Sequence, residues 1–234
     1  MFQFKQFSVD QSNCAMKINT DGVLLGALAE SDSPATILDI GTGTGVIALM
    51  LAQRFGNAKI DAVEIDESAA DTAEANCRSS PFANRLSIYA VGFEDFFERY
   101  PDRQYDLIVS NPPFYINSLL SPIEKKQLAK HAGEFFFKDM LSSISKHLSE
   151  QGSCWLILPL QTAELVKLTA PHVSLYINKI IYVKSFAAKD PHREILVLSR
   201  LQYNTREEQF VIYESEGVYT KQYKNTLKEF FTIF

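Results

Sequence analysis

The sequence predicts an α/β fold: a mostly parallel sheet with helices on both faces. Two observations carry this. Short apolar runs of strand length alternate with longer helical patterns between residues 35 and 158, as successive βαβ units do. A glycine-rich turn also joins the first such strand to the first long helix, where open α/β sheets gather ligands.

Taken in order, residues 35–40 read as a buried strand, and residues 46–55 as a helix with Ile47, Met50 and Leu51 on one face. Residues 59–65 are a second strand, and the Ala-rich residues 67–78 a helix. A third strand at 86–90, a short helix at 93–100 and a fourth strand at 105–110 follow. Residues 134–148 are helical, closing at Gly152, and 153–158 are a fifth strand. After residue 172, the β-rich runs 175–184 and 194–203 fit an antiparallel pair at the end of the sheet. Thr20-Asp21-Gly22 before an apolar run suggests a capped lead-in helix. Lys221, Lys224 and Lys228 recur at the spacing of a solvated helix face. No internal boundary is visible. The expected organisation is one unit: a lead-in over 1–33, a ligand-binding core over 34–172, and a β pair with a closing helix over 173–234.

Composition narrows the class. The chain has 234 residues, 46% hydrophobic and 22% charged, which excludes a mainly disordered chain, a collagen-like chain and a disulfide scaffold. Cys14, Cys77 and Cys154 form no CxxC pair, so free thiols in a reducing cytoplasm are expected, and no metal site. The N-terminus lacks a charged region followed by an apolar run. No apolar stretch approaches the roughly 18 residues of a membrane span. Net charge is −5, but unevenly spread. Residues 1–110 hold 8 Lys+Arg against 16 Asp+Glu, and residues 111–234 hold 15 against 12. Such asymmetry hints at a polyanionic partner on one side.

The turn reads Asp39-Ile40-Gly41-Thr42-Gly43-Thr44-Gly45. Its glycines let the backbone turn tightly and approach a ligand without Cβ clashes. The spacing is GxGxG, whereas a dinucleotide fingerprint needs GxGxxG/A. Asp39 just before it would repel a phosphate and suit a cationic ligand such as S-adenosylmethionine (SAM). Glu64, 23 residues after Gly41, ends the second strand and can accept both hydroxyls of a ribose.

Ser110-Asn111-Pro112-Pro113-Phe114 closes the fourth strand. Two prolines stiffen it and remove two backbone donors. The Asn111 side-chain carbonyl and the Pro112 main-chain carbonyl remain as acceptors, beside the aromatic face of Phe114. This suits a planar group bearing an exocyclic amine, stacked for roughly 1–3 kcal/mol. No cysteine lies in this loop, so a cytosine-carbon methyltransferase is disfavoured. A zinc deaminase set is also absent.

Together, Asp39-x-Gly41-x-Gly43-x-Gly45, Glu64 and Asn111-Pro112-Pro113-Phe114 resemble the class I SAM-dependent amino-methyltransferases. The chain is most similar to the bacterial family that methylates adenine N6 beside the anticodon of valine tRNA. That resemblance also rests on Phe4-Lys5-Gln6-Phe7, Cys14-Ala15-Met16-Lys17, Thr20-Asp21-Gly22-Val23-Leu24-Leu25-Gly26-Ala27, Pro191-His192-Arg193 and the tail from Tyr219 to Phe231. It implies a Rossmann-like sheet of seven strands, mostly parallel with an antiparallel last strand. It implies SAM as cofactor, S-adenosylhomocysteine (SAH) as product and tRNA as partner. A cytoplasmic monomer without an obligate protein partner or a membrane is expected. Lys17, Thr20 and Asp21 would lie over the methionine end of SAM, Asp39 and Gly41 would hold its amino acid part, Glu64 its ribose, and Gly43 and Gly45 would complete the cofactor-binding turn. Phe93 would also line the cofactor. Asn111 and Pro112 would bind the target amine and Phe114 the base. Pro113, Lys125, Lys126, Lys130, His131, His192 and Arg193 would meet the RNA, the stretch 116–133 acting as a flap. One departure stands out. The family often has Asp beside the cofactor adenine after the third strand; here that position is Gly92, with Glu94 and Asp95 close by.

Asn-Pro-Pro-aromatic is shared with protein-glutamine methyltransferases, which normally carry an extra N-terminal helical domain; only 33 residues precede the first strand here. A non-catalytic SAM- or RNA-binding module and a dinucleotide oxidoreductase are the remaining alternatives.

Overall fold

The computed structural model describes residues 1–12, 17–112 and 122–234, the side chains of 122–133 excepted. Cys14, Pro113 and Phe114 lie outside the described residues, as do the side chains of Lys125, Lys126, Lys130 and His131.

The chain opens with a small hairpin, β1 (Phe2–Gln3) and β2 (Ser8–Val9), and then α1 (Thr20–Leu28). Next come β3 (Thr36–Ile40), α2 (Val46–Arg54), β4 (Lys59–Val63), α3 (Glu67–Arg78), β5 (Leu86–Tyr89), α4 (Phe93–Arg99) and β6 (Tyr105–Ser110). These are followed by α5 (Pro122–His147), β7 (Leu148–Leu158), α6 (Leu160–Thr169), β8 (Tyr176–Phe186) and β9 (Arg193–Ser199). β10 (Arg206–Ser215), β11 (Val218–Tyr219) and α7 (Lys221–Leu227) complete the order.

One sheet of nine strands runs β11-β10-β8-β9-β7-β6-β3-β4-β5. β3 to β7 pair in parallel, and β9 runs antiparallel to both β7 and β8. The seven strands from β5 to β8 are the expected α/β sheet with its antiparallel last strand. β3 and β6 read as near-continuous apolar runs because both sheet faces are covered. Ile37 packs in a core with α1 and α2, while Leu38 and Ile40 pack in a second core with α4 and α5.

Several expectations are corrected. The sheet gains β10 and β11: only Phe210 and Ile212 of β10 are buried, so its charged sequence hid a strand near the sheet edge. α6 also went unread. α2 is buried all round from Val46 to Ala52 rather than on one face. α5 begins at Pro122, not residue 134, so much of the stretch read as a flap belongs to a helix of 26 residues. The helix runs through Gly133, since one interior glycine costs only about 1 kcal/mol, and Pro at a first helical position is favourable. β7 begins at Leu148, and Gly152 lies within it; its register against β6 jumps from Tyr105↔Leu148 to Leu107↔Ser153, accommodating the extra residues. β9 stops at Ser199, where Asn178 Nδ2 donates to Ser199 Oγ and to the Leu201 carbonyl. The lead-in helix is capped by Asn19, which accepts from Gly22 N at 2.9 Å, and not by Thr20.

Gly45 starts α2 with φ +82°, and a Cβ there would lie 3.4 Å from Ala73 Cβ and Cys77 Sγ. Gly45→Val forces a β-branched residue into the left-handed region and against α3. The expected loss of stability is about 2–5 kcal/mol, read as a lower urea midpoint; an unchanged midpoint would contradict this packing.

Candidate active site

β3 lies between β4 and β6. The chain runs outward through β4 and β5 and then returns to β6 on the other side. That reversal is a topological switch point, where the strand ends leave a crevice. The pairing Ile40↔Ser110 sets the two strand ends level, so Gly41 and Asn111 leave the sheet side by side. Ser110 Oγ donates to the Ile40 carbonyl at 2.8 Å and ties these ends together.

The glycine loop folds back over β4. Gly41 N and Thr42 N both donate to the Val63 carbonyl, at 2.9 and 3.1 Å. Gly41 and Gly43 have φ of +71° and +57°, with open space where a Cβ would stand. They form one side of a cleft of about 340 Å³. Glu64 and Asp66 line it as well, Ile65, Val91, Phe93 and Phe136 supply apolar surface, and Asn111 and Pro112 line it from the end of β6.

Glu64 sits one residue beyond β4. Its Oε2 accepts from Gly43 N at 2.9 Å and its Oε1 from Asp66 N at 3.0 Å, so the carboxylate joins both cleft-lining turns. Each oxygen keeps a further lone pair. Asp39 lies beneath the loop, fully buried and off the cleft surface. Its Oδ2 accepts from Thr42 Oγ1 at 2.6 Å, while Oδ1 has no hydrogen-bond partner among the described residues. Burial pushes its pKa up to about 7, against the opposing pull of the Thr42 hydroxyl. Asn111 is half-buried, and its Oδ1 is another buried acceptor without a hydrogen-bond partner among the described residues. Such an atom costs about 1–3 kcal/mol and calls for an explanation.

The cleft thus gathers Gly41, Gly43, Glu64, Phe93, Asn111 and Pro112. Other expected site residues lie elsewhere. Gly45 packs on α3. Lys17 is exposed, and Thr20 lines a different cleft beside Tyr219 and Tyr223. Asp21 accepts from Arg193 Nε at 2.7 Å, an ion pair that fastens the start of α1 to β9. Arg193 is therefore engaged within the protein and is not simply a cation offered to RNA. His192 is half-buried; desolvation, with Arg193 beside it, holds its pKa below the usual histidine value. The start of α1 does reach the tetrapeptide: a Cβ at Gly22 would lie 3.8 Å from Asn111 Nδ2.

Sequence reasoning missed Phe136, Ile65, Val91 and Ala69, all of which line the cleft. Phe136 lies within a Phe135-Phe136-Phe137 run whose three rings go to solvent, cleft and core in turn. Ile65 is 79% exposed, an unusual position for a large aliphatic residue beside a cleft.

Comparison with known proteins agrees with this architecture. The family model "Methyltransferase small domain" matches residues 14–164. A relative from Pedobacter heparinus, named tRNA1(Val) (adenine(37)-N6)-methyltransferase, is 46% identical over 100% of this chain and 98% of its own length. A relative of the same name from Flavobacterium psychrophilum is 43% identical over 99% of each chain. Among solved structures, a protein described as a predicted O-methyltransferase from Agrobacterium tumefaciens superposes with a TM-score of 0.67 at 17% identity, covering 90% of this chain and 96% of that one. A ribosomal protein L11 methylase from Lactobacillus delbrueckii gives 0.57 at 19% identity, covering 83% and 84%. These last two share the fold. The chain belongs to the methyltransferase small domain family, in the group of bacterial proteins named tRNA1(Val) (adenine(37)-N6)-methyltransferase.

Proposed function

We propose that this protein transfers a methyl group from SAM to the N6 amine of adenine 37, 3′ of the anticodon of valine tRNA. The names of its relatives supply the substrate. The observation that carries the chemistry is the unpartnered, buried Asn111 Oδ1, set beside the glycine loop at the switch point.

The cleft fits SAM on its own terms. Open glycines leave room for close backbone approach, Glu64 retains lone pairs for ribose hydroxyls, and the apolar walls suit a flat purine. The Asp39 carboxyl beside the glycine loop, whose Oδ1 lacks a partner among the described residues, would supply a negative field for an amino-acid cation once ionised. When bound, SAM supplies a methyl group carried on a positively charged sulfur. The residues of the protein do the rest. Asn111 Oδ1 accepts one hydrogen of the target amine and the Pro112 carbonyl the other. With both hydrogens held, the nitrogen lone pair turns out of ring conjugation toward the cleft. The alkylated nitrogen is acidic and gives its proton to water, so no strong base is required.

Phe114 would stack on the base, and Pro113, Lys125, Lys126, Lys130 and His131 would meet the RNA. Lys17, Thr20 and Asp21 would close over the methionine end. On this reading the protein acts as a cytoplasmic monomer.

The test is mass spectrometry of nucleosides from tRNA of a strain lacking the protein. N6-methyladenosine is expected to disappear and to return on complementation. Unchanged N6-methyladenosine, or label from SAM appearing only in protein, overturns the proposal; the second outcome favours glutamine methylation.

A further inference from the structure

We propose that a second cleft, between the lead-in helix and the C-terminal tail, holds an unpaired base of the RNA substrate close to the one being methylated. The inference rests on the methyl-transfer reading above and adds a second point of RNA contact to it.

The cleft measures about 530 Å³, within the roughly 300–1,000 Å³ of small-ligand sites. Phe2, Tyr219, Tyr223 and Phe231 supply aromatic walls. Tyr219 stacks on Tyr223 with ring centres 4.6 Å apart and on Tyr213 at 5.1 Å, so three rings stand in one ladder. The walls are braced: Phe4 and Phe231 form an antiparallel bridge, and Lys5 N donates to the Phe230 carbonyl at 2.8 Å. Ile233 also lines the cleft and is 70% exposed, an open apolar surface.

Among the described residues, no charged side chain lines this cleft. Its polar groups are neutral. Asn19 spends Oδ1 on Gly22 N and keeps its Nδ2 donors, and the Thr20 and Thr232 hydroxyls have no hydrogen-bond partner among the described residues. Flat apolar walls with neutral donors and acceptors suit a nucleobase, which stacks on aromatic rings and hydrogen-bonds along its edge. A phosphate or a charged peptide side chain would find no counter-charge inside. Lys17 and Lys221, both exposed, lie within two residues of lining residues and offer positive charge to backbone phosphates outside.

Position ties the cleft to the reaction. β7 runs parallel to β6, β9 antiparallel to β7 and β8, and β10 parallel to β8, so the C-terminal ends of β6, β8 and β10 share one rim of the sheet. Asn111 leaves that rim from β6, and Tyr213, paired with Tyr219, stands near the end of β10. The first turn of α1 serves both clefts: Asn19, Thr20 and Val23 line the second, while Gly22 lies against Asn111. A helix is about 10 Å wide, a gap that an unstacked RNA loop bridges within a few nucleotides.

The test uses valine tRNA lacking the modification, and its anticodon hairpin with 2-aminopurine, a fluorescent base dimmed by stacking, at each loop position in turn. Ile233→Glu puts a carboxylate at an exposed position of the cleft without touching the core. It should raise KM for the tRNA about tenfold with kcat and SAH affinity unchanged, while Ile233→Lys stays within about twofold of wild type. Tyr219→Ala should behave as Ile233→Glu does, and Tyr219→Phe as wild type. One 2-aminopurine position other than 37 should dim on binding wild-type protein and not on binding Tyr219→Ala. Wild-type KM in both Ile233→Glu and Tyr219→Ala, a KM raised equally by Ile233→Lys, or fluorescence that responds at position 37 alone overturns the second site and leaves methyl transfer standing. Wild-type protein that binds SAH but methylates no tRNA overturns both.

Discussion

Replacing Asn111 by Ala is expected to lower methyl transfer to tRNA by about 10²–10³-fold while SAH binds as before. Loss of one preorganised hydrogen-bonding group at a reacting centre has effects of that size. Asn111 lines the cleft from the end of β6, so the cofactor contacts proposed for Glu64 and the glycine loop should survive the change. Stability should move the other way or stay level. Oδ1 is buried without a partner, and removing it relieves that penalty. A fall in turnover without a fall in melting temperature therefore separates a functional role from a structural one. Turnover within about threefold of wild type would contradict the role given to Asn111, and lost SAH binding would place the residue with the cofactor rather than the target.

The parts of the site that the sequence reveals are those set by local chemistry. Glycines at positive φ, an acid at a strand end and prolines that fix a bend all act within a few residues of themselves. Glu64 and the glycine loop meet because β3 and β4 are parallel neighbours, which the βαβ pattern already implies. What stays hidden depends on distant parts of the chain. Phe136 reaches the cleft from α5, a helix that begins at Pro122, well before the residue 134 read from the sequence. Asp21 and Arg193 are 172 positions apart, and each reads as available until the fold joins them. Asn19 displaced Thr20 as the cap because both are good capping residues, and only backbone geometry chooses between them. β10 was missed because a strand near the edge of a sheet can carry charges that a central strand cannot.

Asp39→Asn should stabilise the protein above pH 7 and weaken its ligand. Burial raises the Asp39 pKa from 3.8 to about 7, so the folded chain holds a proton that the unfolded chain has released between those values. Folding stability then falls as pH rises through that window, reaching a cost of about 4 kcal/mol above pH 7. Asn carries no charge to desolvate and can still accept from Thr42 Oγ1. The stability advantage of Asn should be largest near pH 8, shrink between pH 7 and pH 4, and be absent below pH 4, as urea melts at each pH would record. A protein that keeps a costly acid here gains something from its charge. On the proposed reading an ammonium group bound near Gly41 would favour the ionised form, so binding should release a proton and SAH affinity should rise from pH 6 to pH 8 in the wild type. Asp39→Asn should lose that rise and bind about tenfold more weakly at pH 8, the loss of a buried charge that acts through the low-dielectric interior without touching the ligand. Calorimetry in two buffers of different ionisation heat counts the released proton directly. Equal affinity at pH 6 and pH 8 in the wild type would mean that Asp39 only braces the loop through Thr42, and the field assigned to it would have to come from elsewhere in the cleft.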